Sequence, residues 1–226
     1  MKKINTILAM LSALLMLSVS AAKSVEFTVG LSGNIMGAAA NAQEQLKDSN
    51  RLTNKESFLA TNFASGFVEV GSDEMMGLAL GVSYAPTVVE MNKESRNIQP
   101  SATGDSGLQA IDAEVVDMVT IYASLPVGGN GAFIKAGYMQ ATMQTLEALA
   151  TGSKYGDVDM TGMIIGGGYE ADLGDTGAFW RAEGQYQKWD DIKERGSESG
   201  AASGDKNTIS AEISGVMASL SIGMKF

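Results

Sequence analysis

The chain has 226 residues, a formal net charge of −10, and neither Cys nor His. Without Cys no disulfide can hold the fold together, and without His the commonest general base and the commonest metal ligand are both missing. The excess of acidic side chains also excludes a nucleic-acid partner.

The amino terminus has the three parts of a secretory signal peptide. Two lysines form the positive region, an apolar run extends to Val19, and small residues end it at Ala22. An uncleaved anchor would need about 20 apolar residues, and this run is shorter. We therefore expect a Sec-type signal peptide at residues 1–22 and one mature domain at residues 23–226.

The mature part alternates between two unlike faces with a period of two, which indicates β-strands. No stretch in it approaches a transmembrane helix, so a chain of this kind crosses a membrane only as a closed barrel. The strands are predicted, in order, at Val25–Ile35, Phe58–Val70, Met76–Tyr84, Val119–Leu125, Ile134–Met139, Gly162–Glu170, Trp180–Gln187 and Ile209–Phe226.

The second predicted strand, residues 58–70, has no single clear phase. Phe63 and Phe67 share a face with Glu69, whereas Val68 and Val70 occupy the other face. A bulge would account for this pattern, and so would an aromatic position at the rim of a membrane. Both phases of this strand stay open.

The last predicted strand changes its apolar parity partway along. Ile209 and Ile213 lie on one parity, whereas the apolar residues from Val216 onward lie on the other. A bulge near Ser214 or Gly215 reconciles the two halves. The alternative is a first half that lies above the membrane.

The connections between the predicted strands alternate between long and short. Long loops are expected near 37–57, 85–114, 142–159 and 190–207, and tight turns near 71–74, 126–131 and 172–177. All long loops then lie at one end of an eight-stranded antiparallel up-and-down barrel. This is the arrangement of transmembrane β-barrels, which have short periplasmic turns and longer extracellular loops.

The apolar faces of the seven strands with a clear phase carry no charged residue, although 19% of the chain is charged. A lipid-facing Lys or Arg would cost about 2–4 kcal/mol at the bilayer midplane, so these faces are expected to contact lipid. Aromatic residues near the strand ends predict two girdles. They are Phe27, Tyr169, Trp180 and Phe226 at the periplasmic rim, and Tyr84, Tyr138, Tyr186 and Trp189 at the outer rim.

A soluble secreted barrel of lipocalin type is the main alternative fold. It would turn the apolar parity inward and expose residues such as Gly81, Ser83, Ser219 and Ser221. Such small side chains make a poor solvated surface but a suitable lining for a narrow eight-stranded lumen. The transmembrane orientation therefore fits the sequence better.

The charged residues within the strands all lie on the parity assigned to the lumen. We expect Lys135, Arg181 and Glu183 to form an ion-pair network there, with Glu26 and Lys225 at the periplasmic mouth, because an unpaired buried charge is costly. Glu170 shares the lumen parity. The alternative reading is a gate whose pairs exchange partners to admit small solutes.

No catalytic constellation is apparent in the sequence, and the acidic pairs Asp157–Asp159 and Asp190–Asp191 are expected to be solvated loop residues rather than divalent-cation sites. A Ser-His-acid arrangement is impossible without His, and no carboxylate pair stands out. We expect no enzymatic activity, no metal site and no cofactor. The 14 methionines are expected to fill gaps that face the membrane and the lumen.

The final strand, alternating and ending in Phe226, resembles the closing strand of bacterial outer-membrane β-barrels. In those barrels the terminal aromatic is read by the assembly machinery. With its eight strands and one-sided long loops, the chain is similar to the small barrels of the porin-family type, including the OmpA transmembrane domain, OmpX and Opa. The resemblance implies a Gram-negative outer membrane, with lipid and lipopolysaccharide as neighbours and the assembly machinery as a partner.

The same resemblance implies a structural or surface-interaction role, in adhesion or envelope integrity, in which the extracellular loops contact a surface ligand. A narrow porin-like channel for small solutes or ions is the alternative function.

Overall fold

The computed structural model describes residues 25–45, 52–72, 76–90, 94–98, 107–148, 156–195 and 208–226. The predicted signal peptide lies outside these residues. Regular structure in the described ranges consists of β-strands, and they contain no helix that is long and apolar enough to cross a membrane.

The strands form one closed antiparallel sheet, which confirms the predicted eight-stranded barrel. Eight strands make the wall, which closes where the first strand pairs with the last, and two short strands extend it through pairing with β5 and β10. The strands are β1 (Val25–Gln45), β2 (Leu52–Ser72), β3 (Leu78–Glu90), β4 (Glu94–Ile98), β5 (Gly107–Pro126), β6 (Ala132–Ala148), β7 (Val158–Asp172), β8 (Ala178–Trp189), β9 (Ile192–Arg195) and β10 (Thr208–Lys225).

The strands are staggered around the barrel. A row of paired residues that starts at Val29 passes through every wall strand and returns to β1 at Ala39, ten residues further along. Such a shear accompanies strands that are tilted against the barrel axis, and closure removes the free edges that an open sheet would present.

The apolar parity faces outward. Leu31, Leu220 and Ile222 are each more than 60% exposed, whereas Ser221, between two of them, is 1% exposed. Because small polar residues point inward and large aliphatic ones outward, the wall has the orientation of a transmembrane barrel. The lipocalin-type alternative is excluded by this orientation.

Two of the short turns lie where the sequence predicted them. The connections after β5 and after β7 contain glycines with positive φ, among them Gly131 at 87° and Gly177 at 80°. A Cβ at either position would lie within 2.6 Å of a backbone carbonyl, so only glycine fits these turns. These turns and the β2–β3 connection define the turn end of the barrel; the opposite end is called the loop end.

Several strands are much longer than predicted, and the predicted loops are correspondingly too wide. Most of the region expected as a loop at 37–57 is strand, because β1 continues to Gln45 and β2 begins at Leu52. β5 likewise begins at Gly107 within the loop expected at 85–114. Beyond the lipid, polar side chains on both faces do not prevent the backbone from continuing its ladder. The strands of 20 or 21 residues exceed the roughly 9–11 residues that cross a bilayer.

The structure resolves both questions of strand phase. β2 pairs with β1 without a register shift, and Phe63, Phe67 and Glu69 lie on its lumen side. The bulge expected near Ser214 or Gly215 is absent, since the β1–β10 register is unbroken from Thr208 to Lys225. The parity change arises because the lumen becomes apolar toward the loop end.

Register shifts occur instead in β3 and β5. One lies between Thr87 and Val89, and the other lies between Val116 and Val119. In the second bulge Asp117 has a φ of 54°, and its carboxylate accepts a hydrogen bond of 2.7 Å from the Tyr84 hydroxyl. Bulges bend a strand and increase its local twist.

Most of the aromatic residues considered for the girdles lie on the outward face. Tyr138, Tyr169 and Tyr186 are between 43% and 47% exposed, and the Tyr169 and Trp180 rings are 5.8 Å apart. Trp189 does not belong to the outer girdle. It shares the inward parity of Gln187, is 4% exposed, and packs in the lumen. Outward-facing Phe58, which is 76% exposed, is an aromatic residue near the loop end that the sequence did not single out.

Candidate functional site: the barrel lumen

The inward side chains form two layers along the barrel axis. The ion-pair layer lies toward the turn end and consists of Glu69, Lys135, Glu170, Arg181, Glu183 and Lys225. The methionine layer lies toward the loop end and consists of Met36, Met118, Met139, Met160 and Met217, with Trp189 packed against them. On β6, for example, Lys135 belongs to the first layer and Met139 to the second.

Arg181 is the centre of the ion-pair layer. Its two terminal nitrogens donate to both carboxylate oxygens of Glu69 at 2.6 and 2.7 Å, and its Nε donates to Glu170 at 2.8 Å. The side chains of Arg181 and Glu69 are 8% and 3% exposed. Bidentate geometry of this kind is the strongest form of the arginine–carboxylate pair. The guanidinium also lies 5.1–5.3 Å from the centroids of three phenylalanine rings, those of Phe67, Phe133 and Phe179.

Lys225 extends this group of charges toward the turn end. Its ammonium lies 2.6 Å from the second carboxylate oxygen of Glu170 and 3.5 Å from Asp172. Because Glu170 contacts both Arg181 and Lys225, it joins them into one continuous row of alternating charge. Glu26 lies on the same lumen parity but is exposed at the turn end.

A second ion pair lies beside the first. Lys135 donates to Glu183 at 3.0 Å, and its ammonium sits 3.8 Å from the centre of the Tyr122 ring. The Tyr122 hydroxyl donates to Glu69 at 2.8 Å, so this tyrosine connects the two pairs. A Cβ on Gly81 would come within 2.4 Å of the Tyr122 ring. The small residue on β3 therefore makes room for the tyrosine that links the network.

Short polar side chains fill the neighbouring part of the lumen. The hydroxyls of Ser32 and Ser221 are 2.7 Å apart, and Ser219 donates to the Asn34 carbonyl oxygen at 2.7 Å. The Asn34 amide nitrogen in turn donates to Ser65 at 3.0 Å. Because these groups satisfy one another, this part of the wall is held together by side-chain as well as backbone hydrogen bonds.

The methionine layer is nearly free of polar atoms. Met139 is 0% exposed, and Ile213 from the loop half of β10 packs against the layer. Gln187 is a polar residue within it, and the Gln187 amide nitrogen donates to the Met217 sulfur at 3.5 Å. The Gln187 carbonyl oxygen is buried without a hydrogen-bond partner among the described residues. Flexible thioethers suit this position because they fill irregular gaps.

The structure brings together Lys135, Arg181, Glu183 and Lys225 through ion pairs, and the fifth residue proposed from the sequence, Glu26, interacts electrostatically with Lys225 at the turn end. Sequence reasoning missed Glu69, because the phase of its strand was open. Its position on the parity of Phe63 and Phe67 was the available signal. Tyr122 was also missed, since nothing in the sequence shows that it faces Gly81.

The arrangement neutralises charge within the lumen. Three cationic side chains face three glutamates, and each carboxylate contacts at least one cation. No group of three or more acidic side chains placed to hold a metal ion occurs within the described residues.

A polar cleft of about 450 Å³ lies at the loop end, between the β1–β2 hairpin and β9–β10. The Gln43 amide donates to Asn54 at 3.0 Å on one side of it, and Asp191 and Lys193 line the other. Lys55 and Glu56 add one charge of each sign. Unlike the lumen, this surface is open to solvent.

Comparison with solved structures finds similar barrels. OprG, an outer membrane protein from Pseudomonas aeruginosa, matches with a TM-score of 0.54 and 11% sequence identity, over 90% of this chain and 97% of that one. The outer membrane protease OmpT from Escherichia coli matches with a TM-score of 0.43 and 10% identity, over 90% and 97%. Ail, the attachment invasion locus protein of Yersinia pestis, gives 0.33 and 11%, over 86% and 98%. No protein-family model and no curated protein sequence matches the chain.

Proposed function

This chain is an eight-stranded antiparallel barrel with the fold of outer-membrane proteins, and we propose that it is a surface-interaction protein of the Gram-negative outer membrane. In this proposal the turn end faces the periplasm, and the loop end faces outward and contacts a ligand in adhesion or envelope maintenance. No reaction is assigned to the chain. Hydrocarbon surrounds its apolar face, lipopolysaccharide surrounds its loop end, and the assembly machinery reads the strand that ends in Phe226.

One observation carries the proposal: the lumen is filled by a paired charged layer and an apolar layer, whereas the wall strands continue past the apolar band. The ion-pair layer has its charges paired internally, and the methionine layer above it is largely apolar. A solute would have to break buried ion pairs and then cross an apolar layer, both of which are costly. The interior therefore suits a rigid support better than a pore.

The loop end offers the surface that such a support would present. β1 and β2 stay paired to Gln45 and Leu52, well beyond the outward-facing Ile35 and Phe58, and they form one side of the polar cleft. Rigid strands hold the cleft residues in fixed positions, which reduces the entropy cost of binding a ligand. The cleft carries charges of both signs together with amides, a composition that suits a polar ligand.

The test compares the full protein with a variant whose β1–β2 hairpin is shortened, in which Ala40 is joined to its partner Ser57 through an Asn-Gly turn. We expect both proteins to show negligible conductance in planar bilayers. We also expect attachment of otherwise identical cells to protein-coated or polysaccharide-coated surfaces to be lost only in the variant. Slower gel migration after boiling serves as the control that both barrels fold.

Discrete conductance steps in the full protein would instead support the channel alternative. In that case charge reversal at Arg181 or Lys135, which lie in the ion-pair layer, should change ion selectivity. Equal attachment by both proteins, with no conductance in either, would refute a role for the hairpin.

A further inference from the structure

The wall of the barrel is split between β2 and β3. Among the described residues, the ladder between these strands runs from Ser72 and Leu78 to Gly66 and Tyr84 and stops there. Beyond this point β2 remains paired with β1, and β3 remains paired with β5. The loop halves of the two strands therefore diverge.

The split has a local cause in β3. The register shift between Thr87 and Val89 bends the strand, and Val88 is 2% exposed and packs in the methionine layer. The loop half of β3 thus leaves the ladder with β2, while Val88 contributes to the buried cluster. Pro86, at the start of the divergence, has no backbone N–H, so it removes a donor that the separated edge would leave unpaired.

Side chains satisfy backbone groups at the same place. The Thr61 hydroxyl donates to the Val88 carbonyl at 2.9 Å, and the Asn34 amide donates to the Phe63 carbonyl at 3.2 Å. Unpaired backbone groups at membrane depth are costly, and these bonds lower that cost. Side chains beside the split therefore provide hydrogen bonds to backbone carbonyls where the β2–β3 ladder is absent.

On the outer face, the split forms an apolar groove of about 550 Å³. Its outward side chains include Leu31, Val68, Val82, Tyr84 and Pro86. Val82 is 4% exposed although it lies on the outward parity, which shows that the groove is recessed, whereas Leu31 at its edge is 67% exposed. The Tyr84–Asp117 hydrogen bond adds a polar group beside the groove.

We propose that this groove binds one acyl chain of a bilayer lipid. The groove is continuous with the outward apolar face, so hydrocarbon is the medium that meets it, and its lining is almost entirely apolar. The inference rests on the membrane location proposed above.

The test uses liposomes of phosphatidylethanolamine that contain a trace of the same lipid with a photoactivatable diazirine on its acyl chain. After illumination we expect labelling of peptides around Ala64–Val68 and Val82–Pro86 to exceed that around Ile222, on the wall formed by β10, by about fivefold, as for a chain held in a concave site. Even labelling around the barrel would overturn the proposal.

Two matched glycine variants sharpen the test. Gly66 lines the groove, so Gly66→Leu fills it. We expect this variant to fold, because a Cβ there makes only ordinary contacts of 3.6 Å or more and the backbone is unstrained. Gly33→Leu adds the same side chain to the outer wall where nothing lies within 4 Å. The first should abolish the excess labelling and the second should leave it unchanged; persistence of the excess in the first would refute the groove as the site.

Other outcomes are distinguishable. Since the chain has no Cys, Ala64→Cys gives a unique thiol, and disulfide-linked dimers formed through it would indicate a second copy in the groove and overturn the proposal. Extraction of the protein from liposomes by alkaline carbonate would refute the membrane location itself. If Gly66→Leu does not fold, the distribution of label on the unmodified protein decides the question alone.

Discussion

At the scale of single residues, the lumen depends on a few positions where a charged or aromatic side chain meets a partner on another strand. Arg181 is the main one, because it holds two glutamates that lie on β2 and β7. Buried ion pairs contribute little over well-packed apolar residues, but removing one partner leaves an uncompensated charge. The ion-pair layer is therefore sensitive to loss of one member and much less sensitive to loss of a whole pair.

Replacing Arg181 with Met should destabilise the barrel by about 3–5 kcal/mol, because Glu69 then stays buried without its cation. Urea unfolding in lipid vesicles, followed by tryptophan fluorescence, measures the change. The double variant that also replaces Glu69 with Gln should recover much of the loss. Lys188→Met, at an exposed outward position, is the control and should change stability by less than about 0.5 kcal/mol. A double variant as unstable as the single one would contradict this account.

Gly81 gives a second prediction at this scale. In Gly81→Val the new side chain meets the Tyr122 ring and displaces its hydroxyl from Glu69, so we expect a loss of about 1–3 kcal/mol from overpacking. Gly33→Val is the matched control, since no atom lies within 4 Å of a Cβ there. Equal stability of the two variants in the same urea titration would show that Tyr122 is not confined by Gly81.

At the scale of strands, the alternating pattern predicted the strands only where contact with lipid restricts the outward residues to apolar types. The second half of β10 alternates clearly because each outward residue must be apolar, and Leu220 and Ile222 are. Beyond the apolar band no such constraint acts, so the continuation of β1 to Gln45 left no pattern to detect. The lumen lining changes from polar to apolar along β10, so the apolar residues face inward at Ile213 and outward from Val216 onward. In the sequence this change of parity resembled a bulge.

The phase of the loop half of β10 can be tested with single cysteines, which the chain otherwise lacks. Ala211 packs against the methionine layer, whereas Glu212 is exposed on the outward face. We therefore expect a water-soluble maleimide to label Glu212→Cys rapidly and Ala211→Cys slowly. The reversed order would restore the predicted bulge. Urea-unfolded samples of both variants should react at similar rates, which controls for intrinsic reactivity.

At the scale of the whole molecule, the lumen combines a charged layer and an apolar layer, and the sequence predicted the first in more detail than the second. Charges on the lumen parity predicted an ion-pair network, but the partners could not be assigned, because Glu69 meets Arg181 only across 112 positions of sequence. The methionine layer was predicted only as gap filling. Trp189 was misplaced because an aromatic residue near a strand end is typical of a girdle, and its inward parity became decisive only in the closed barrel.

Because the two layers lie one above the other, they should act as barriers in series. The triple variant Glu69→Ala, Glu170→Ala and Arg181→Ala removes the central ion pairs but leaves the methionine layer in place. We expect it to show no steady conductance in planar bilayers, because an apolar constriction excludes hydrated ions.

Replacing Met36, Met139 and Met217 with Ala should also leave the lumen closed, since the ion pairs remain. Only the variant that carries both sets of substitutions should conduct ions, provided that gel mobility before and after boiling shows a folded barrel. Conductance in the first triple variant alone would show that the methionine layer does not seal the lumen, and conductance in the second alone would show the same for the ion pairs.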